Sequence, residues 1–420
     1  MNISCLFAFE IEGMERWIIF LLMGIVAEWY AYQAVKTSFP NKWIQRIYLL
    51  FSVGAAVFLV FSFTQFESNS GQTPQTLITI GLFLLIYIPK MLIAIFLLLE
   101  DILRILYGGF RKVRSNKPTK FLPSRRKFIS QTALAIAAIP FSSFIYGMVK
   151  GRYNYKVIRQ KVFFSDLPNE FDGFTIMQLS DIHCGSFDDP EKIQYGIDLI
   201  NEQVFDTLVF TGDLVNNFAA ETEKWIEPFS KIKQPKFGKY SILGNHDYGE
   251  YTDWKSEKDK IKNFEGIKDS HPKMGFQLLN IERVELTKGN SKIHIVGVEN
   301  WGKGPFGKRG DLNKATDGLI PEDFKVLLSH DPSHWDLEGI QHPKNIQLNL
   351  SGHTHGMQFG IEIPGFFKWS PVQYVYERWA GLYEEMGRFL YVNRGFGYHA
   401  YPGRVGIWPE ITLIEFKKKR

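Results

Sequence analysis

Long apolar segments dominate the amino-terminal part of the chain. Three of them, near Trp17–Val35, Ile44–Phe63 and Leu77–Leu99, are long enough to cross a bilayer whose hydrocarbon core is about 30 Å thick. A fourth segment, Phe128–Val149, is weaker and richer in Ala and Ser. A single segment of this kind would also suit a buried core helix, but three in succession with almost no charge predict a membrane region.

Short apolar runs separated by polar segments replace this pattern after residue 150. The runs typical of buried strands are Phe174–Leu179, Thr207–Phe210, Tyr240–Leu243, Phe324–Leu328, Ile346–Leu350, Phe389–Asn393 and Glu410–Phe416, with a hairpin formed by Val284–Thr287 and Lys292–Val298. Helical periodicity between the first three runs predicts parallel strands joined by helices. The predicted fold class is α/β, a layered sandwich with helices outside, preceded by an all-α transmembrane region.

This change of composition sets the predicted domains. Residues 1–127 are predicted to be a membrane region with three transmembrane helices and a basic loop, 128–150 a fourth transmembrane or signal-anchor helix, and 151–420 a soluble domain. The net charge of +5 is modest and concentrated in one loop, which indicates membrane topology rather than nucleic-acid binding. Cys5 and Cys184 lie in different regions and cannot form the disulfide framework of a small secreted fold.

The distribution of basic residues predicts the orientation in the membrane. The loop after the first span is basic, and the loop after the second contains neither Lys nor Arg. The most basic loop follows the third span and contains Arg104, Arg111, Lys112, Arg114, Lys117, Lys120, Arg125, Arg126 and Lys127. Because basic loops stay in the cytoplasm, this pattern predicts a multi-pass protein of the inner or plasma membrane with residues 151–420 outside the cytoplasm.

Two features leave alternatives open. Lys150, Arg152 and Lys156 follow the fourth segment, and if that segment lay on the membrane surface, the soluble domain would remain cytoplasmic. The stretch from Ser124 to Ser130 contains Arg125-Arg126 before an Ala-rich segment and resembles a twin-arginine export signal. The alternative is that the two arginines are ordinary flanking charges.

Five short polar motifs follow the strand-like runs. They are Asp181-Ile182-His183, Gly212-Asp213, Gly244-Asn245-His246-Asp247, His330, and Gly352-His353-Thr354-His355-Gly356. Each motif alone would suit a surface turn, but their joint position at strand ends predicts one site. Residues i and i+2 of a strand point the same way, so Asp181 and His183 are expected to hold one ion together, and His353 and His355 have the same spacing. The set lacks a thiolate pair and fits two divalent metal ions.

In this order, the motifs closely resemble those of the calcineurin-like metallophosphoesterases over about residues 156–420. The resemblance is nearest to membrane-associated bacterial members, often exported by the twin-arginine route, which also end like Asn393-Arg394-Gly395-Phe396-Gly397 and Pro409-Glu410-Ile411. It implies a βαββαβ-type sandwich with a dinuclear metal centre. Met357 departs from the family, which usually has Gly at this position.

The resemblance also implies a role for each residue. The first metal would be held by Asp181, His183 and His355, the second by Asn245, His330 and His353, and Asp213 would bridge the two. His246 would contact the substrate, where it is suited to protonate the leaving oxygen. Asp247 would orient His246 or form a turn. The ions would be Mn, Fe or Zn, and they would activate a water molecule for in-line attack on phosphorus.

These inferences predict a membrane-anchored phosphoesterase that acts on a phosphomonoester, phosphodiester or pyrophosphate of a lipid or cell-envelope molecule. Its expected partners are membrane lipids and a phosphate-ester substrate, with no nucleic acid. One alternative is a UDP-sugar pyrophosphate hydrolase of lipid A synthesis at the cytoplasmic face. Another is a non-catalytic membrane sensor, although every ligand type is present.

One aromatic-rich stretch follows the last metal motif and is open to two interpretations. Its members are Phe366, Phe367, Trp369, Tyr374, Tyr376, Trp379 and Tyr383. The preferred interpretation is a loop that packs on the sandwich. The alternative is contact with lipid headgroups, where Trp and Tyr are favoured.

Overall fold

The computed structural model describes residues 3–115, 123–303, 307–363 and 365–419. The chain forms two compact units: Met1–Gln65 with Thr79–Tyr146, here called the helical unit, and Phe66–Ile78 with Gly147–Arg420, here called the sheet unit. The segment Phe66–Ile78 therefore belongs to the sheet unit, although it lies inside the region 1–127 that the sequence assigned to the membrane. The boundaries at 127 and 150 stay predictions.

Four helices make up most of the amino-terminal region: α1 (Ile3–Ser38), α2 (Lys42–Thr64), α3 (Pro74–Ser115) and α4 (Pro123–Val149). Among the described residues, three helical stretches are long and apolar enough to cross a membrane, namely Lys42–Thr64, Pro74–Phe110 and Ser124–Val149. The predicted second, third and fourth spans fall within them, and the predicted first span falls within α1. Lys117 and Lys120 of the predicted basic loop lie outside the described residues.

Charged side chains inside the helical unit are paired. Lys90 Nζ lies 2.5 Å from Glu28 Oε1 and 2.7 Å from Ser52 Oγ. Arg126 contacts Glu100 and lies 3.0 Å from Asp101 Oδ1. Because an unpaired charge within a bilayer is costly, these pairs make the polar residues compatible with membrane helices. The pairing of Arg126 supports the interpretation of its motif as flanking charges, and the export signal stays a prediction.

The sheet unit contains fourteen strands and four further helices in its described part. The strands are β1 (Lys156–Phe164), β2 (Thr175–Leu179), β3 (Thr207–Phe210), β4 (Lys239–Ser241), β5 (Gln277–Leu278), β6 (Glu282–Lys288), β7 (Ser291–Gly297), β8 (Lys325–Leu328), β9 (Leu348–Ser351), β10 (Ile361–Ile363), β11 (Phe367–Trp369), β12 (Gly381–Glu385), β13 (Arg388–Val392) and β14 (Glu410–Lys418). The helices are α5 (Pro190–Asn201), α6 (Ile226–Ser230), α7 (Glu257–Lys273) and α8 (Leu312–Ala315).

Twelve of the strands form two six-stranded sheets. The first has the order β1-β14-β2-β3-β4-β5 and the second the order β12-β13-β9-β8-β7-β6, while β10 and β11 form a separate hairpin. The strands β2 to β5 are parallel, as are β7, β8, β9 and β13. One face of each sheet lines a shared hydrophobic core, to which the first sheet contributes Ile176 and Val209 and the second contributes Val326 and Leu350.

A second core lies between the first sheet and its helices. Ile193 and Ile197 of α5, Phe229 of α6 and Ile267 of α7 pack with Leu208 of β3. Asp189 caps the amino end of α5 by accepting hydrogen bonds from two backbone amides of its first turn. The layered α/β sandwich and its apolar helical region confirm the predicted fold class. The sequence did not predict β1, β5, β12, α7, α8 or the β10–β11 hairpin.

Candidate metal centre

The polar motifs lie where both sheets present the carboxyl ends of their parallel strands. The strand β2 precedes Asp181 and His183, β3 precedes Asp213, β4 precedes Asn245 and His246, β8 precedes His330, and β9 precedes His353 and His355. Such ends are where open α/β sheets place ligands, because their loops converge there. The site is therefore built from five strands of two sheets.

The candidate ligands form two groups. One consists of Asp181, His183 and His355, and the other of Asp213, His330 and His353, with the ligand atoms of each group within 4.8 Å of one another. The Asp213 carboxylate lies between them: its Oδ2 is 3.1 Å from His330 Nε2 and 3.6 Å from His183 Nε2. This position matches the bridging role that the resemblance implied.

Asn245 joins the second group through its side-chain amide. Its Oδ1 lies 2.8 Å from His353 Nδ1, and its Nδ2 donates to the Tyr251 hydroxyl at 2.8 Å. The structure thus brings together all seven residues predicted as ligands. Metal binding by each of them stays a prediction.

Several ligand atoms of the site face one another in a way that a bound cation would satisfy better than a hydrogen bond. His183 Nε2 and His355 Nε2 face each other at 3.0 Å, an arrangement that requires a shared proton or cation. His330 Nε2 is buried and faces the Asp213 carboxylate, whose Oδ2 lies 3.1 Å away. Nitrogen and carboxylate ligands of this kind are typical of Zn, Mn and Fe sites. The residues therefore fit two divalent metal ions.

The electrostatics of the buried carboxylates point the same way. Burial raises the pKa of Asp213, but His330 and His246 outweigh burial and hold that pKa well below its usual value. Burial lowers the pKa of His330, but the Asp213 carboxylate outweighs it and raises the pKa to about 10. His330 thus supplies positive charge next to Asp213, and a bound cation would replace its proton.

Left-handed backbone conformations, rather than strand alternation, orient the ligands. The strand β2 ends at Leu179, and Asp181 and His183 have φ of 50° and 49°. His353 and His355 have φ of 71° and 51°, and they belong to different groups despite their i, i+2 spacing. Strand alternation is therefore not what brings Asp181 and His183 together, so that part of the expectation was wrong. The two residues do lie in one group, as expected.

His246 lies beside both groups. Its backbone N–H donates to Asp213 Oδ1 at 2.9 Å, and its ring Nδ1 lies 2.8 Å from the carbonyl oxygen of Asn216. The ring centroid is 4.9 Å from that of His183. Contact with Asn216 occupies Nδ1 and leaves Nε2 for another partner, as a substrate-facing role requires.

Asp247 is fully buried and serves the loops rather than the His246 ring. Its carboxylate accepts hydrogen bonds from the backbone N–H groups of Gly244, Asp213, Leu214 and Val215 at 2.8 to 3.2 Å. Burial and the neighbouring Asp213 raise the pKa of Asp247 to about 7. This geometry favours the turn interpretation over orientation of His246, because the carboxylate fixes the loop that carries Asp213.

Comparison with known families agrees with this geometry. Residues 174–357 match the family model described as "Calcineurin-like phosphoesterase", and residues 15–152 match the one described as "Probable Calcineurin-like phosphoesterase, transmembrane domain". The chain is 31% identical over 298 residues to an uncharacterized metallophosphoesterase, YkuE, of Bacillus subtilis, covering 70% of this chain and 98% of that protein. The chain belongs to the calcineurin-like metallophosphoesterase family.

Two other relatives of this metallophosphoesterase share its domain. A transmembrane protein with metallophosphoesterase domain from Danio rerio is 30% identical over 69% of this chain and 63% of its own length. The UDP-2,3-diacylglucosamine pyrophosphatase LpxG of Chlamydia trachomatis is 25% identical over 55% of this chain and 81% of its own length. The protein is thus a membrane protein and a metal-dependent phosphoric ester hydrolase, and the non-catalytic alternative is not supported.

Several residues of this metallophosphoesterase site were missed by the sequence analysis. The Tyr376 hydroxyl lies 2.8 Å from His353 Nε2 and donates to Asp331 Oδ2 at 3.2 Å. His183 Nδ1 lies 3.0 Å from Asn216 Oδ1. The position of Asp331 directly after His330 was a usable signal for a supporting carboxylate. Tyr376 was named only as a member of the aromatic-rich stretch, and nothing in the sequence marked its contact with His353.

The carboxy-terminal loop contributes two more groups. The His399 ring lies 4.5 Å from the His246 ring and 4.9 Å from the His183 ring, centroid to centroid. The buried Arg404 guanidinium lies 3.2 Å from His355 Nδ1 and donates to the carbonyl oxygens of Gly395 and Gly397. Both residues follow the Asn393–Gly397 motif, which marked this loop in the sequence without indicating which side chains reach the site.

Proposed function

We propose that this metallophosphoesterase hydrolyses a phosphate ester or pyrophosphate of a membrane lipid or another cell-envelope molecule, outside the cytoplasm. The observation that carries the proposal is the pair of ligand groups with the Asp213 carboxylate between them. This arrangement is typical of centres that act on phosphoryl groups. Attachment to a membrane supports a substrate that is itself located there.

The metal ligands, Asp213 and His246 would each have a separate role in the proposed hydrolysis. Two divalent ions held by the two groups would polarise the phosphoryl oxygens and acidify a water molecule. Asp213, fixed by backbone N–H groups and by Asp247, keeps the two groups at one spacing. Burial lowers the pKa of His246, which makes its protonated ring a stronger acid towards the leaving oxygen at Nε2.

The extracytoplasmic orientation is supported by the segment Phe66–Ile78. This segment runs from the end of α2 into the first turn of α3, yet it belongs to the sheet unit. If α4 crosses the membrane, this segment and the start of the soluble domain emerge on the same face. If α4 lay on the surface, they would emerge on opposite faces and could not share a compact unit. The basic loops then lie on the other, cytoplasmic face.

Two of the basic residues after α4, Arg152 and Arg159, form contacts inside the sheet unit. Arg152 Nη2 lies 2.9 Å from Asp188 Oδ2, and its guanidinium also donates to the Tyr398 hydroxyl at 3.1 Å. The Arg159 guanidinium contacts the Gln203 side chain. These charges are therefore used inside the sheet unit and do not act as free topological signals.

The test is hydrolysis of bis(p-nitrophenyl) phosphate by the full-length protein in detergent with Mn²⁺. The full chain is needed, because a fragment beginning at residue 151 lacks Phe66–Ile78. Asp213→Ala and His246→Ala should each reduce kcat by about 10²–10⁴-fold. His342→Ala is a matched control, since its ring bonds to Asn313 away from both groups. Unchanged turnover in the two site variants would overturn the mechanism.

The substrate class is tested with the same preparation. Turnover of phospholipids, lipid phosphates, phosphomonoesters and sugar nucleotides would be compared in mixed micelles. A preference for lipid phosphate esters is expected. Hydrolysis confined to water-soluble nucleotides would contradict the envelope substrate while leaving the metal chemistry in place.

The second candidate is hydrolysis of a UDP-sugar pyrophosphate of lipid A synthesis at the cytoplasmic face. It is favoured by the similarity to LpxG, which is named a UDP-2,3-diacylglucosamine pyrophosphatase. It requires residues 151–420 to lie in the cytoplasm, so membrane topology separates it from the first proposal.

A further inference from the structure

The β10–β11 hairpin presents its apolar side chains outward. Ile361 and Ile363 of β10 pair in register with Trp369 and Phe367 of β11, and Ile361, Ile363 and Phe367 are exposed. At the turn between the strands, Phe366 is 85% exposed. A hairpin on a water-soluble domain ordinarily turns this face to the core, so the orientation here is the reverse of the usual one.

The opposite face of the hairpin carries charges that are fully used inside the domain. Glu362 and Lys368 are cross-strand partners. Arg394 contacts both oxygens of Glu362, and Lys368 Nζ donates to the Ala380 carbonyl oxygen at 2.5 Å and the Tyr383 hydroxyl at 3.0 Å. These contacts fix which face points outward, because reversing the hairpin would remove the half-buried Glu362 and Lys368 from these partners.

The apolar surface extends along the metal centre. Ser370, directly after β11, donates to the carbonyl oxygen of Gly356 at 2.8 Å, next to the candidate ligand His355. Tyr374, 77% exposed, and the exposed Val375 directly precede Tyr376, which contacts His353. The aromatic stretch of the sequence therefore divides: Trp379 is buried, as the packing interpretation requires, while Phe366, Phe367 and Tyr374 face outward.

The hairpin also lies next to the point where the chain enters the sheet unit from α4. Gly147, the first residue of this part of the unit, accepts a hydrogen bond from Arg404 N–H at 3.2 Å. Val405, which follows Arg404, accepts a hydrogen bond at 2.9 Å from the N–H of Gly360, the residue directly before β10. The stretch Ser124–Val149 is long and apolar enough to cross a membrane, so the hairpin lies beside the residues that follow a candidate span.

The geometry points to a bilayer-docking surface formed by Ile361, Ile363, Phe366, Phe367, Tyr374 and Val375. It inserts into the lipid interface on the side where α4 ends, so that the metal centre opens towards lipid molecules. Strands of three residues are about 10 Å long, which suits the shallow insertion of interfacial elements. A contiguous apolar patch beside a membrane anchor is explained by lipid contact, whereas scattered exposed residues need no explanation. The consequence for substrate choice rests on the proposed function.

The test of docking reads the surroundings of residue 366 in the full-length protein. Phe366→Cys and Val204→Cys are made with Cys5→Ser, and Cys184, which is buried, is left in place. Val204 is a matched control because it is an apolar residue, 83% exposed, on the loop before β3. Each variant carries an environment-sensitive fluorophore on its new cysteine and is placed in phosphatidylethanolamine–phosphatidylglycerol vesicles. In one sample the vesicles contain spin-labelled lipid, which quenches fluorophores in the bilayer. In the other they lack it, and iodide is added to quench fluorophores in water.

We expect the lipid-borne quencher to act on the label at 366 and iodide to act on the label at 204. Quenching of the label at 366 by iodide alone would overturn the inference. Shielding of that label from both quenchers would also overturn it, since it would mean that protein rather than lipid covers the hairpin. This readout does not depend on catalysis, so it separates failure of docking from failure of the proposed function.

A second measurement links docking to turnover. Phe366→Asp should lower kcat/KM for a phospholipid in vesicles about tenfold, the factor expected when one Phe side chain is no longer buried in the lipid. Turnover of bis(p-nitrophenyl) phosphate should stay unchanged, which also shows that the variant folds. Val204→Asp should alter neither. Equal losses on the soluble and the lipid substrate would contradict a role in docking.

Discussion

Candidate ligands sit in backbone conformations that most side chains avoid. Asp181, His183, Asp213, His353 and His355 all have φ between 49° and 71°. Each such residue costs free energy, of the order of 1–3 kcal/mol, unless its surroundings enforce it. The turns aim side chains from strand ends into one small volume. A sequence shows which residues follow a strand but not the sign of φ, and this is why the motifs were found while their grouping could not be predicted from spacing.

Tyr376 is a positioning residue for His353. We expect Tyr376→Phe to weaken the affinity for Mn²⁺ about 10–100-fold, because the hydroxyl that orients the ring is lost. The measurement is activity of the metal-depleted protein as Mn²⁺ is added back. Activity should recover at high Mn²⁺, and Tyr195→Phe, a change at an exposed residue of α5, should behave like the wild type. Loss of activity that metal does not restore would contradict a positioning role.

Secondary-structure elements followed the apolar pattern wherever that pattern was strong. The strands β2, β3, β8 and β9 lie within or beside the predicted runs, because buried parallel strands are apolar throughout. The hairpin β10–β11 was missed because each of its strands has only three residues. Its alternation of apolar and charged residues also gave no sign that the apolar face points outward. Such a reversal is decided by the partners of Glu362 and Lys368, which lie far away in the sequence.

The segment Phe66–Ile78 is the other element that the pattern did not reveal. It docks through its backbone and one amide: Ser68 O accepts from Asp253 N–H at 3.1 Å, and Gln72 Nε2 donates to Ser186 Oγ at 2.9 Å. The Gln72 oxygen accepts from Ala400 N–H at 2.6 Å. Contacts of this kind leave no periodic trace in a sequence.

Gly71 is expected to be essential for this docking. It has φ of 58°, and an added Cβ would come within 2.8 Å of Phe218 Cε2 and 2.9 Å of Asn217 Nδ2. Gly71→Ala should therefore destabilise the sheet unit by about 1–3 kcal/mol. Thermal unfolding followed by near-ultraviolet circular dichroism would measure the change.

Gly173→Ala provides the comparison, because Gly173 also has a positive φ of 84° but has open space where a Cβ would be added. The shift in Tm should be clearly larger for Gly71→Ala. Equal shifts in the two variants would mean that backbone strain alone matters and that the segment is not tightly docked.

At the scale of the whole molecule, the basic loops and the composition of the sheet unit both support the proposed orientation in the membrane. Basic loops flank α2 and α3 on one side, and the segment on their other side belongs to the sheet unit. We expect alkaline phosphatase fused after Arg420 to be active, because this reporter matures only outside the cytoplasm. A fusion after Ser38, between the first two helices, should be inactive. The reverse pattern would place the domain in the cytoplasm and favour the UDP-sugar reaction.

The discontinuous sheet unit has a consequence for the order in which the protein is made. Residues 66–78 leave the ribosome well before residue 147, and α3 and α4 are synthesised between them. The sheet unit therefore cannot be completed until the residues after 147 have also been synthesised. A chain interrupted between these two parts would thus contain the first two helices but no finished catalytic unit.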